Sequence, residues 1–231
     1  MKIKKIVLII AVLGFFISNI HAQSNSSWRS GKQVNDVYDH NFGFSIGVNI
    51  VEDGNQIFGG FLNPSEYWNF SRPIYLNAEY FLNNKFSFNA MFSLNQYKAG
   101  KQIDLLYILE GQEASYFAFD LGAKLYFRDW FNSYKFDPYV LAGFGYTTIG
   151  AYQGIPVDEF APDQSVVVVP SIGRMTLNAG LGFNVWFSQN WGMNLNMIGK
   201  WGLATGDHEK VPNDVTNQLQ YTMGVVYLLN N

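Results

Sequence analysis

Glu79, Asp120, Lys124, Arg174 and Lys200 stand inside segments that otherwise alternate apolar residues with Gly, Ser, Asn and Thr. Two acids and three bases at such positions can pair as ions and fill an interior, or can line a path for protons or small ions. An isolated charge in an enclosed space is costly, whereas a paired and hydrogen-bonded set is tolerable. The favoured reading is a structural lumen network that plugs the interior, because eight strands enclose a space just wide enough for side chains.

Other chemistry-bearing residues are sparse. His40 precedes the first alternating segment, and His208 sits in Gly206-Asp207-His208-Glu209-Lys210. A histidine beside an acid can act as a general base. No serine is placed with it by any motif, so a lipid-modifying hydrolase or acyltransferase is the weaker reading and no catalytic residue is assigned. The same cluster lacks the ligand spacing of a metal site. Asp158, Glu159 and Asp163 make one connection acidic, but the spacing of a calcium loop is absent and a solvated acidic loop is expected. The chain has no cysteine, which removes disulfides, thiolate metal sites and cysteine nucleophiles. The expectation is therefore a non-enzyme with no cofactor and no metal.

The elements that must position the five charges have period two. Phe42, Phe44, Ile46, Val48 and Ile50 alternate with Gly43, Ser45, Gly47 and Asn49. Successive strand side chains point to opposite faces, so such a strand has one apolar and one polar side. The pattern recurs over 74–82, 86–95, 116–127, 139–147, 176–187, 191–200 and 218–229. These are eight strands of about ten residues, the length a tilted strand needs to cross a bilayer. Asn83-Asn84, Ser188-Gln189-Asn190 and the longer stretch 128–137 are the connections on one side. Residues 51–72, 97–115, 149–172 and 203–217 are long loops on the other. Val166 to Val169 is read as an extension of the sixth strand, with an edge for a partner as the alternative.

Among the 231 residues 17% are aromatic and 14% charged, against ~25% charged in an ordinary soluble chain. Met1 to Gln23 has a lysine-rich start, an apolar run from Ile6 to Ile17 too short for a membrane helix, and Ala22 before a cut. Residues 1–22 are read as a cleavable signal peptide and 23–41 as a loose periplasmic segment ahead of a barrel over 42–231. Of 15 basic residues, three lie in the leader. The remaining 12 face 18 acids, a formal charge of −6 that offers no footprint for nucleic acid.

A soluble barrel also has eight alternating strands, but its outer face carries many Lys and Glu. Here the polar set is small and nearly uncharged, so it suits a closed lumen and the apolar set suits hydrocarbon. Aromatics cluster at strand ends: Phe42, Phe86, Trp130, Phe131, Tyr139, Phe187, Trp191 and Tyr227 on the short-turn side, and Tyr97, Tyr116, Tyr146 and Trp201 on the loop side. Two interfacial girdles would account for both sets. The fold class is thus an all-β, eight-stranded antiparallel up-and-down transmembrane barrel.

Asp137-Pro138-Tyr139-Val140-Leu141-Ala142-Gly143-Phe144-Gly145-Tyr146, and the run from Thr176-Leu177-Asn178-Ala179-Gly180 through Phe187 to Gly192, resemble the outer-membrane barrels of Bacteroidetes, close to the OmpA-type N-terminal barrel. Thr222, Gly224, Tyr227 and Leu229 resemble the signal read by the barrel-assembly machinery, although the chain ends Leu229-Asn230-Asn231 instead of on an aromatic. The resemblance covers most of residues 42–229 and is specific for fold, weak for activity. It implies outer-membrane lipids and lipopolysaccharide as surroundings, both termini in the periplasm, and loops free to meet a surface ligand. Peptidoglycan binding, common in that family's second domain, is not carried over to this chain.

The function expected is that of an integral outer-membrane protein with a filled lumen and a structural or surface-contact role. A narrow channel for small solutes and an accessory part of a secretion complex are the alternatives. By sidedness alone, Leu121→Arg should disrupt assembly and Asp120→Asn should be mild.

Overall fold

A computed structural model of the chain describes residues 42–52, 68–69, 71–103, 106–131, 135–156, 166–203 and 217–229. The leader 1–22, the segment 23–41 with His40, the acids Asp158, Glu159 and Asp163, and His208 lie outside the described residues.

Eight long strands close on themselves: β1 (Phe42–Glu52), β3 (Ser71–Phe81), β4 (Phe86–Lys98), β7 (Glu113–Tyr126), β8 (Phe136–Ile149), β11 (Ile172–Trp186), β12 (Trp191–Gly202) and β13 (Asn217–Leu228). Each pairs antiparallel with the next, and β13 pairs with β1 from Leu228 opposite Gly43 to Leu219 opposite Glu52. The barrel is therefore closed, with no sheet edge along the staves. Among the described residues no helix is long and apolar enough to cross a membrane.

Sidedness follows the alternation. Ile46 is 61% exposed and its neighbour Ser45 is 5% exposed. Phe44, Leu76, Phe88, Phe144, Leu177 and Leu181 line the exposed face, whereas Asn77, Asn178, Asn194, Asn196 and Thr222 are buried. Three aromatics assigned above to the girdles face the opposite way: Tyr97, Tyr116 and Tyr139 are buried in the interior. Each occupies the parity of the lumen row, and position near a strand end does not override parity. The short-turn rim is instead ringed by Phe42 against Tyr80 (centroids 5.0 Å apart), Trp191 against Tyr227 (4.6 Å) and Phe127 against Trp130 (4.9 Å).

The connection 128–137 is more structured than a plain turn. Arg128–Phe131 forms one helical turn, and the Arg128 guanidinium makes a bidentate pair with Asp137. Trp186 Nε1 donates to the same carboxylate. The helical turn projects Trp130, 80% exposed, beyond the rim.

At the other end the long connections build a second sheet. Its strands are β5 (Gln102–Ile103), β6 (Leu106–Ile108), β9 (Tyr152–Pro156) and β10 (Val167–Val169), in the order β10-β9-β6-β5. β6 comes from one hairpin and β9 from the next, joined through Leu106 opposite Pro156 and Ile108 opposite Gly154. Val166 to Val169 thus does not extend the sixth long strand. Val167, Val168 and Val169 pair with Gly154, Gln153 and Tyr152. Pro170 cannot donate to a ladder, and the chain breaks from β11 there. The sheet roofs an apolar cluster of Val51, Ile103, Leu106, Ile108, Tyr152 and Val169.

β3 is irregular near its loop end. Its register to β4 slips between Ser71 and Ile74, and Arg72 sits at φ 52°. That is left-handed backbone at a non-glycine residue, made harder by the proline that follows. Such a conformation costs ~1–3 kcal/mol. Short β2 (Trp68–Asn69) then continues the line of β3 along the loop end of β1.

Candidate functional site: the lumen network

The interior is packed in three tiers. Toward the short turns lie Phe81, Tyr126, Tyr139, Trp186 and Leu228, in one apolar cluster with Tyr75 and Met91. Toward the loops lies the roofed cluster described above. Between them runs the polar network.

Four of the five charges assigned from sequence meet as two ion pairs. Lys124 Nζ is 2.7 Å from Glu79 Oε2, with both side chains buried. Glu79 also accepts from Ser87 Oγ and Tyr126 OH, and Lys124 lies 4.5 Å from the centroid of the Tyr139 ring. Lys200 Nζ is 2.7 Å from Asp120 Oδ2, and Asn178 Nδ2 donates to the other Asp120 oxygen at 2.7 Å. Arg174, the fifth, is buried on the lumen side at the loop end of β11, near Gly202. An unpaired charge in such a place would be expelled; paired with hydrogen bonds on the remaining lone pairs it is held.

Neutral amides and hydroxyls complete the network across strands distant in sequence. Tyr75 OH donates to Asn194 Oδ1 at 2.6 Å, and Tyr139 OH to Asn196 Oδ1 at 2.5 Å. Asn196 in turn donates to Thr222 Oγ1 at 2.7 Å, and Gln220 to Ser93 Oγ at 2.8 Å. Asn69, Asn95 and Asn49 form a chain of amides near the loop end. These contacts span the bore, so the polar tier is a filling, and among the described residues no continuous row of one charge lines it. Among the described residues no group of three or more His, Asp or Glu stands together as a metal site.

Small residues on the lumen parity make this filling possible. A Cβ on Gly145 would stand 2.0 Å from Asp120 Oδ1, and one on Gly224 would stand 2.7 Å from the Tyr75 ring. Gly145→Val should therefore push Asp120 off Lys200 and lower stability by ~1–3 kcal/mol, the usual penalty of overpacking. Urea titration of the protein refolded in lipid vesicles reads that loss, and an unchanged midpoint would contradict the geometry.

The four residues matched to the assembly signal divide between faces. Thr222 and Gly224 point into the lumen, while Tyr227 packs outside on Trp191 and Leu229 is 40% exposed. In the closed barrel they do not form one surface. Sequence reasoning missed the Arg128–Asp137–Trp186 cluster. The available signal was an opposite charge at each end of one connection.

No protein-family model and no curated protein matches the chain. Solved structures do. Neisserial surface protein A aligns at TM-score 0.52 and 13% identity, over 82% of this chain and 97% of that one. The outer membrane protein OprG of Pseudomonas aeruginosa aligns at TM-score 0.48 and 13% identity, over 83% and 97%. Outer membrane protein W of E. coli is 20% identical over 82% and 98%, at TM-score 0.42. At 13% identity the likeness to Neisserial surface protein A shows the fold alone, a closed eight-stranded antiparallel barrel.

Proposed function

We propose that the chain is an integral outer-membrane protein, a non-conducting barrel that holds a folded β-platform above the membrane. One observation carries this reading. Large apolar side chains such as Ile46, Leu181 and Phe88 are 54–61% exposed on the outside, while ion pairs and amides are buried within. Water disfavours that arrangement, and hydrocarbon favours it. Both the short turns and the two chain ends belong to the periplasmic side in this reading, with the platform at the cell surface. The three packed tiers support an anchoring role over a channel.

Planar bilayers test the absence of conduction. Purified protein that shifts on gels between boiled and unboiled samples should leave the bilayer sealed at all voltages. Stable unitary conductance would instead establish the channel. Proteolysis of intact cells should cut in the loop regions and spare the staves. A role as accessory to a secretion complex would show itself as a partner retained through mild detergent extraction.

A further inference from the structure

We propose that the open edge of β10 takes an extended, basic segment of a partner protein as a fifth strand of the platform. This rests on the reading above, in which the platform stands outside the membrane, and names a partner class for it. β10 is the terminal strand of the four-stranded sheet and pairs on one side only, with β9. Leu109 N–H donates to the Gln153 carbonyl at 2.9 Å, so the Gln153 backbone faces β6. Val168 stands opposite Gln153. Two opposed residues of an antiparallel ladder exchange both their bonds or neither. Val168 therefore turns its N–H and C=O away from β9, and among the described residues no backbone group meets them.

Native sheets blunt such an edge with charges, a bulge or a proline. None of these falls on β10. Residues 152–156 and 166–172 hold no charged side chain, and Val167–Val169 pairs with β9 in unbroken register. Pro170 comes only after the strand and bounds the edge there. Val168 is 69% exposed and Val166 50%, whereas Val169 is buried in the roofed cluster and Val167 packs against it. An incoming strand would find main-chain partners on Val168 and apolar contact with two valines two positions apart. That is the pairing mode in which the backbone supplies affinity and alternate side chains supply selection.

Charge selects the occupant. The long connections at this end of the barrel, 51–72, 97–115, 149–172 and 203–217, contain 12 acids against 4 bases, a formal charge of −8. The connection that carries β10 has the acids Asp158, Glu159 and Asp163 and no base. The edge is short, so attraction has to come from complementary charge as well as from the ladder. A basic segment with β-branched residues at alternate positions meets both demands. A second copy does not, because joining β10 to β10 would bring two such acidic ends together.

The test uses the full chain in nanodiscs of zwitterionic phosphatidylcholine, which has no net charge to attract a basic peptide. The probe is a short fluorescein-labelled peptide of alternating lysine and valine, read by anisotropy. Its controls are the same peptide N-methylated along its pairing edge, and one with glutamate for lysine. The basic peptide should bind at least about tenfold more tightly than either, the size of one main-chain hydrogen bond. Val168→Pro removes the outward N–H and leaves the β9 ladder intact, so it should weaken binding about tenfold. Val168→Thr, still β-branched, should bind as wild type does. Boiled and unboiled gel migration checks that each variant is folded. Equal binding of the N-methylated peptide would mean that charge alone holds it, and equal binding of the acidic peptide would deny the charge selection; either overturns the proposal. So does undiminished binding by Val168→Pro, and so does a dimer that Val168→Pro abolishes, which would make a second copy the occupant. If folded wild type binds no peptide, the edge proposal alone fails. If wild type does not enter the bilayer, the membrane reading fails, and the same titration in detergent micelles decides the edge.

Discussion

Leu121→Arg is expected to remove most of the assembled barrel. Leu121 is 37% exposed at the centre of β7, between Ala90 on one side and Phe144 on the other. All three lie on the outward parity, in the part of the wall that meets hydrocarbon in the membrane reading. An arginine near the midplane costs ~2–4 kcal/mol on the lipid face of such barrels. That is a large share of the ~5–15 kcal/mol that a folded domain has in total. The measurement is the fraction of heat-shifting, protease-protected protein after refolding into vesicles, followed by urea titration of what does fold. Wild-type yield and midpoint would contradict a lipid-facing Leu121 and with it the whole facing assignment.

Asp120→Asn is expected to be severe as well, which sidedness alone does not suggest. The neighbouring residue points inward, and its carboxylate is the partner of Lys200 Nζ at 2.7 Å, where the Lys200 side chain is 0% exposed. Neutralising Asp120 leaves a buried ammonium without a counter-charge, a change that costs ~3–5 kcal/mol when buried pairs are broken from one side. Asp120→Asn combined with Lys200→Met should recover most of that loss, since replacing both charged members is often close to neutral. The double-mutant cycle by urea titration is the readout. Effects that add to within ~0.5 kcal/mol would mean the two groups are not coupled. The Glu79–Lys124 pair gives a second cycle of the same kind, with Ser87 and Tyr126 as additional donors to Glu79.

Much of this architecture was legible in the order of residues. The alternation of Phe44, Ile46 and Val48 with Ser45, Gly47 and Asn49 determines which face of β1 can meet water, because the side-chain period of a strand is two. The same arithmetic places Glu79, Asp120, Lys124, Arg174 and Lys200 on the inside. Strand number and antiparallel order follow from eight such segments joined alternately by short turns and long loops, whereas closure needs β13 to find β1 from the far end of the chain. Position near a strand end was a poorer guide than parity, as Tyr97, Tyr116 and Tyr139 show by pointing into the lumen.

What alternation cannot supply is the partner across the bore or above the rim. Asp120 and Lys200 are 80 positions apart, and Tyr75 and Asn194 are 119 apart. Parity says both members face inward, but which of the inward residues meet depends on the stagger of eight strands around a closed circle. The β6–β9 pairing depends likewise on two separate hairpins folding over each other. The left-handed backbone of Arg72, at a register slip near the loop end of β3, follows from no periodicity at all. Sidedness is a property of each strand taken alone and is written in its residue order; pairing is a property of the closed barrel and arises only when all eight strands have met.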